Sequence, residues 1–167
     1  MRIKRIFVFL LLISFNFQAF AINAKSDEII GFWLSEKGNG VVEIFKKGDE
    51  YQGKLVWIQE IFEGEVKDKL DEENPDEKLQ KRSLQGLRIL HGFKFKDGEW
   101  ADGKIYDPES GNTYSAYMKL KNKDKLKLRG YIGISLFGRT SQWVRQKSRI
   151  PDRYQENQTQ SQSSGTN

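Results

Sequence analysis

From Ile29 to Arg145 apolar and aromatic residues alternate with polar ones, and Gly, Asn and Asp clusters interrupt the alternation at short intervals. No other feature of the chain restricts its fold as strongly. A period of two sends successive side chains to opposite faces of a strand, so each segment can bury only one face. The segments run Ile29–Glu36, Gly40–Lys46, Tyr51–Glu60, Leu87–Phe95, Glu99–Tyr106, Thr113–Leu120, Leu126–Gly133 and Gly138–Arg145. Most are joined by short turns such as Lys47-Gly48-Asp49, Lys96-Asp97-Gly98 and Asn122-Lys123-Asp124. Eight sequential strands with short connections predict an all-β fold. An eight-stranded antiparallel up-and-down barrel removes both sheet edges, and a two-sheet sandwich is the alternative. The barrel is preferred because no connection is both long and apolar, as a crossing between sheets would be.

The N-terminus departs from this pattern. Arg2, Lys4 and Arg5 precede an apolar run from Ile6 to Ile13, and Ala19-Phe20-Ala21 follows as an A-x-A cleavage pattern. Residues 1–21 therefore read as a signal peptide, with Ala24 a second possible cleavage point. A membrane anchor is the competing reading, but the run is short and Asn16 and Gln18 break its end. Cleavage after Ala21 leaves 146 of the 167 residues, enough for one domain that buries roughly 70% of its unfolded surface. The expected location is the periplasm of a Gram-negative bacterium, with no transmembrane anchor after cleavage. The chain has no Cys, so its core holds without disulfides despite an oxidising destination. Three positive charges leave with the leader, which takes the formal +5 to about +2. That balance is too small to imply nucleic acid or a membrane surface as a partner.

Two short helices are expected. Ser26-Asp27-Glu28-Ile29 suits one turn before the first strand. In the long connection before Leu87, Asn74-Pro75-Asp76-Glu77 looks like a helix start, predicting a helix from Pro75 to about Arg82. The domain is taken as 22–146. Residues 147–167 are rich in Gln and Ser and read as a disordered polar tail.

Several pieces of the chain together resemble a known family. Gly31-Phe32-Trp33 resembles the Gly-x-Trp of lipocalins and related calycin barrels. With Asp71-Glu72-Glu73-Asn74-Pro75, Leu84-Gln85-Gly86, Ile105-Tyr106-Asp107-Pro108-Glu109-Ser110-Gly111, Arg129-Gly130-Tyr131-Ile132-Gly133 and Gly138-Arg139-Thr140-Ser141-Gln142-Trp143-Val144-Arg145, the chain resembles the bacterial exported family called domain of unknown function 2147. The resemblance covers Gly31 to Arg145. It implies a lipocalin-like barrel and export, and no established activity. Ser83 stands where the resemblance leads one to expect Pro.

Topology gives the Gly-x-Trp triplet a physical role. The last strand of a closed meander pairs with the first, so Arg145 should approach Trp33, where a guanidinium can stack on indole. In lipocalins such an Arg covers that Trp at the closed end. Gly31, Trp33 and Arg145 are thus expected to form a structural pin. The same topology gathers four connections at one rim: the first, the long third, the Asp107–Asn112 turn, and the loop Ile134-Ser135-Leu136-Phe137-Gly138. A ligand should enter there.

Candidate ligand contacts follow from alternation. Trp57, on a face with Tyr51 and Leu55, and Tyr114 and Met118, on a face with Ala116, should line the interior. Tyr106, Asp107 and Arg139 would give polar contacts at the mouth, and Arg139 could hold a carboxylate or phosphate. Each has a structural alternative: core residue, turn former or surface ion pair. Asp71 and Asn74 read as caps or as rim ligands. Alternation turns Arg129 and Tyr131 outward, and a ligand role for Arg129 rests mainly on resemblance. No metal or cofactor is expected. His91 is the only His, which rules out multi-His metal sites, and its alternation with Ile89 and Phe93 predicts a core position. Nucleophile-elbow, P-loop and dinucleotide fingerprints are absent. The acidic run from Asp68 to Asp76 lacks EF-hand spacing. Asp71, Asp107 and Glu60 leave a paired-carboxylate hydrolase formally possible, though nothing in their spacing makes two of them converge.

The favoured expectation is a periplasmic, non-enzymatic binding protein for a small, partly apolar ligand. The alternative is a cell-envelope interaction module with a filled barrel, binding protein or cell-wall polymer through its rim loops.

Overall fold

A computed structural model describes residues 25–155. The expected signal peptide lies outside the described residues, as do residues 156–167. Eight strands form one closed antiparallel barrel in chain order. They are β1 Gly31–Leu34, β2 Gly40–Lys47, β3 Glu50–Ile58, β4 Arg88–Lys96, β5 Glu99–Asp107, β6 Asn112–Asn122, β7 Lys125–Tyr131 and β8 Arg139–Gln146. The sandwich alternative falls away, because β1 pairs with β8 and closes the ring, with Trp33 opposite Arg145. Turn chemistry explains the tight end. Asp97 and Gly98 both have positive φ (52° and 85°) between the paired Lys96 and Glu99, a two-residue turn of the type that matches strand twist.

The closed half of the barrel is solid. Trp33, Tyr51, Phe93, Trp100, Met118 and Leu126 are buried there. The Tyr51 and Trp100 rings meet edge to face at 6.2 Å. Two glycines make this density possible. A Cβ on Gly103 would lie 2.4 Å from the Phe93 ring, and one on Gly53 would lie 2.7 Å from Leu90.

The connections differ from expectation in two places. The predicted helix from Pro75 to Arg82 does not form. A single 3-10 turn, Glu77–Leu79, stands there, capped by Asp76, whose side chain accepts from the Lys78 N–H. The ends of the segment are pinned to each other instead. Leu70 bridges Ser83, and the Asp71 N–H donates to the Arg82 carbonyl. Within the loop Asn74 donates to Asp71 and accepts from the Asp76 N–H, and Gln80 donates to the Asn74 carbonyl, contacts that hold a compact non-helical loop. Ser83, where Pro was expected, uses its hydroxyl in this turn: it donates to Asp68 and accepts from the Gln85 N–H. The other helical element of this connection is the short α1, Gln59–Phe62. A helical turn over residues 25–27 does precede β1.

The second difference is the segment after β8. Residues 147–155, expected to be a tail with nothing to bury, fold back onto the barrel. Pro151 is buried, Arg153 donates to the Gly38 carbonyl at 2.8 Å, and the Tyr154 ring lies 5.4 Å from Trp57 and 5.0 Å from Phe62. One proline and one aromatic suffice where the barrel offers an apolar seat for them.

Candidate functional site

Above the aromatic floor the barrel is hollow. A cavity of about 560 Å³ opens at one rim. Its wall is mainly apolar, with Val42, Leu55, Ile89, Ile105, Leu128 and Trp143 facing it. All four connections expected at the mouth contribute: Asn39, Leu84, Pro108 and Phe137 come from one loop each. Two ion pairs brace the rim. Lys37 bonds Glu109, joining the β1–β2 loop to the β5–β6 turn, and holds the Glu109 carboxyl below its usual pKa. Lys69 pairs with Glu60 at 2.7 Å.

Tyr106, Asp107, Tyr114 and Arg139 border the cavity as expected. Trp57 and Met118 do not. Met118 is fully buried one layer below, in the packed floor. Trp57 is turned to the outside by a β-bulge. Val41 pairs with Trp57 and Val42 with Leu55, so Val56 is an extra residue and the alternation inverts there. Trp57 is then covered by Phe62 and Tyr154, and its indole N–H has no partner among the described residues. A second bulge moves His91. Gly92 has φ +67°, and β3 advances two residues (Tyr51 to Gly53) while β4 advances three. Phe93 enters the core, and His91 is half-buried on the outer wall rather than in the core. Burial lowers its pKa from 6.5.

The polar residues at the mouth divide into engaged and available groups. Asp71 has no exposed surface. One carboxylate oxygen accepts from the Tyr106 hydroxyl at 2.5 Å, and the other accepts from Asn74 and from Arg82. Asn74 also donates to the Tyr106 hydroxyl at 3.1 Å. This network fastens the long loop to β5, and burial together with Asp71 raises the Tyr106 pKa. The Tyr106 hydroxyl is therefore committed to Asp71 and Asn74. Asp107 spends its oxygens on its own turn, accepting from the Glu109 N–H and the Ser110 hydroxyl. Gly111 completes the arrangement. It has φ +68°, and a Cβ there would stand 1.8 Å from the Glu73 carbonyl oxygen. Sequence reasoning found these residues but gave them separate roles; only contact across 35 residues joins Tyr106 to Asp71.

Three groups remain available. The Arg139 guanidinium makes no hydrogen bond or ion pair among the described residues, although its charge acts on Glu109. It stands opposite Gly130, which has no side chain to meet it. Among the described residues the Tyr114 hydroxyl has only a 3.5 Å contact with Ser110. Ser141 lines the wall and accepts from the Trp143 indole N–H. Alternation alone could have singled out Ser141, which lies two residues from Arg139 on the inner face. Arg129, by contrast, faces outward, and its guanidinium is spent on the β7–β8 loop. Of the three carboxylates considered for proton transfer, Asp71 is enclosed, Asp107 holds a turn and Glu60 is ion-paired.

At the opposite end the pin has the expected geometry. The Arg145 guanidinium sits 4.1 Å over the Trp33 ring and donates to the carbonyls of Lys123, Ile30 and Glu28. The Trp33 indole N–H donates to the Ile29 carbonyl at 2.8 Å. A Cβ on Gly31 would lie 2.9 Å from the guanidinium, so only Gly permits this approach.

A closed eight-strand barrel with one packed end and one open cavity is the lipocalin-like class of fold. The chain belongs to a bacterial family described as "Uncharacterized protein conserved in bacteria (DUF2147)", whose model matches residues 31–145. Among solved structures it is similar to protein HP1028 from the human pathogen Helicobacter pylori, described as belonging to the lipocalin family. That likeness has a TM-score of 0.63 at 21% identity and covers 77% of this chain and 87% of the other. Comparison with curated proteins finds no match. Among the described residues no helix is long and apolar enough to cross a membrane, and no group of three or more His, Cys, Asp or Glu could hold a metal ion.

Proposed function

We propose that this chain is an exported, periplasmic binding protein that holds a small, partly apolar molecule in its barrel. The open apolar cavity of about 560 Å³ carries the reading. Its volume lies within the range of small-molecule sites, and a mainly apolar wall with few polar groups is how such sites gain both affinity and orientation. Arg139 and Tyr114 at the upper wall favour a ligand with an acceptor or anionic head and an apolar body, seated on the aromatic floor. The leader pattern supports export. The interaction-module alternative called for a filled interior, which the cavity disfavours.

Native mass spectrometry of the protein recovered from the periplasm, paired with organic extraction, tests the proposal. A discrete bound mass released on extraction is the expected result. An apo mass, together with no saturable binding of an apolar fluorescent probe, would overturn it.

A further inference from the structure

The outer wall of the barrel carries a second concavity. β2, β3, β4 and the end of the long connection form a groove of about 430 Å³ that shares no lining residue with the cavity. Phe45 and Leu87 give it an apolar side, and Lys54, Arg82, Arg88 and His91 are its ionisable side chains. None of its lining residues carries a carboxylate.

The backbone brings these charges together. The β3–β4 register slips after Gly53: Gly53 pairs with Leu90 and Lys54 with Arg88, so Ile89 is an extra residue. Ile89 and Leu90 are both buried, and Arg88 stands directly opposite Lys54. Like charges in a cross-strand pair cost stability. On the next strand, Lys104 stands opposite His91. Carboxylates around the groove neutralise part of this charge. Glu43 of β2 pairs with Lys54 at 3.0 Å, and the buried Asp71 holds Arg82 at 2.7 Å. Glu50 lies near the far side, where a Cβ on Gly92 would stand 4.0 Å from its carboxylate. Arg88 is left over. Its guanidinium makes no hydrogen bond or ion pair among the described residues. Burial, and then the charges of Arg88 and Arg82, hold the His91 pKa below 6.5. An unpaired guanidinium set against further cations and a half-buried imidazole is arranged for an anion.

The donors narrow the choice of anion. Bidentate pairing with Arg88 takes two oxygens. A carboxylate then has no further oxygen, whereas a phosphate monoester keeps one for the His91 ring. Phe45 and Leu87 offer apolar surface to the organic part of the ester.

We propose that this outer groove is a second binding site, for a small soluble phosphate monoester. Its phosphate sits between Arg88 and His91, and its apolar or aromatic body lies on Phe45 and Leu87. The site stands whatever the cavity holds.

His91 is the only His of the chain, so in the untagged protein its ring resonances report on this groove alone. Phenyl phosphate is the probe, titrated into the protein and followed by NMR of that ring. Saturable shifts are expected. The midpoint of the His91 titration should move up, since an adjacent anion favours the protonated ring. Benzoate should bind more weakly for want of a third oxygen, and inorganic phosphate for want of an apolar body. Arg88→Gln should weaken phenyl phosphate about tenfold. Arg88 is exposed, so unchanged thermal unfolding is the control for folding. Arg139→Gln, at the cavity mouth, should leave the His91 response as it is. Absence of a saturable response would overturn the proposal, as would an Arg88→Gln response equal to that of the parent protein. A response matched by sodium chloride at equal ionic strength would reduce the effect to screening. Loss of the response in Arg139→Gln would place the anion in the barrel instead. A response only to vesicles of phosphatidic acid would assign the groove to lipid-borne phosphate and overturn the soluble ligand.

Discussion

Gly111 and Gly48 share a backbone conformation and differ in surroundings. Both have positive φ, 68° and 65°, but a Cβ on Gly48 meets nothing within 4 Å, whereas one on Gly111 meets the Glu73 carbonyl. Gly48→Ala should lose about 1 kcal/mol, the conformational cost alone. Gly111→Ala should lose about 1–3 kcal/mol more, because the long loop must shift off the β5–β6 turn. Equal losses in urea unfolding would remove the steric account of that motif. His91 supports a pH test. Its pKa is lowered, so as pH falls through 6.5 the unfolded chain takes up the proton first. Its contribution to stability is full above that pH, declines as pH falls toward the folded pKa, and levels off below it. His91→Gln should flatten this part of the stability profile, as read by denaturant midpoints across the pH range. Residue types were legible at both sites. The faces they occupy were not, because Gly92 inverts the alternation between His91 and Phe93.

Single elements show how bulges decide which side chains reach the cavity. β3 reads in sequence as one alternating run that places Tyr51, Leu55 and Trp57 together. The extra residue, Val56, sends Trp57 outward, where the last helical turn, over residues 152–155, covers it. Tyr154→Ala should therefore destabilise the barrel by about 1–3 kcal/mol, through loss of the rings packed on Trp57 and Phe62. Ligand affinity should change little, since this cluster lies outside the cavity wall. A large affinity loss with unchanged stability would contradict that placement. β6 shows the opposite case. It has no bulge between Tyr114 and Met118, and the row Tyr114, Ala116, Met118 faces inward as alternation predicts. Alternation also put Met118 on the correct face, but not at the correct depth. Depth depends on the neighbouring strands, and Trp100 pairs with Met118 in the floor. The long connection before β4 has similar limits. Its capping residues were visible, yet Asn74 and Asp76 serve a closed loop rather than a helix, because Asp71 and Arg82 lock its ends.

For the whole molecule, a solid end and a hollow end are the main result. For the proposed ligand, the floor would set how deep it sits and the mouth would select its head group. Arg139→Gln should weaken a carboxylate-bearing apolar probe by about tenfold while sparing an uncharged analogue, and Tyr114→Phe should act in the same direction more weakly. Titration of both probes against each variant reads this. Equal losses for the two probes would mean that Arg139 does not face the head group. Sequence alone determined eight sequential strands and, once the meander is taken as closed, the approach of Arg145 to Trp33 and which loops share the mouth; the β1–β8 pairing decided the barrel over the sandwich. These follow from periodicity and short connections, which are local, and from the requirement that a meander close its edges. Tertiary structure alone decided that Trp57 leaves the wall, that Tyr106 surrenders its hydroxyl to Asp71, and that Arg139 stays unpaired among the described residues. Those outcomes depend on bulges and on contacts between residues far apart in the chain. Alternation carries no record of either, because one inserted residue reverses a face and a buried carboxylate chooses its donors only once the loop is in place.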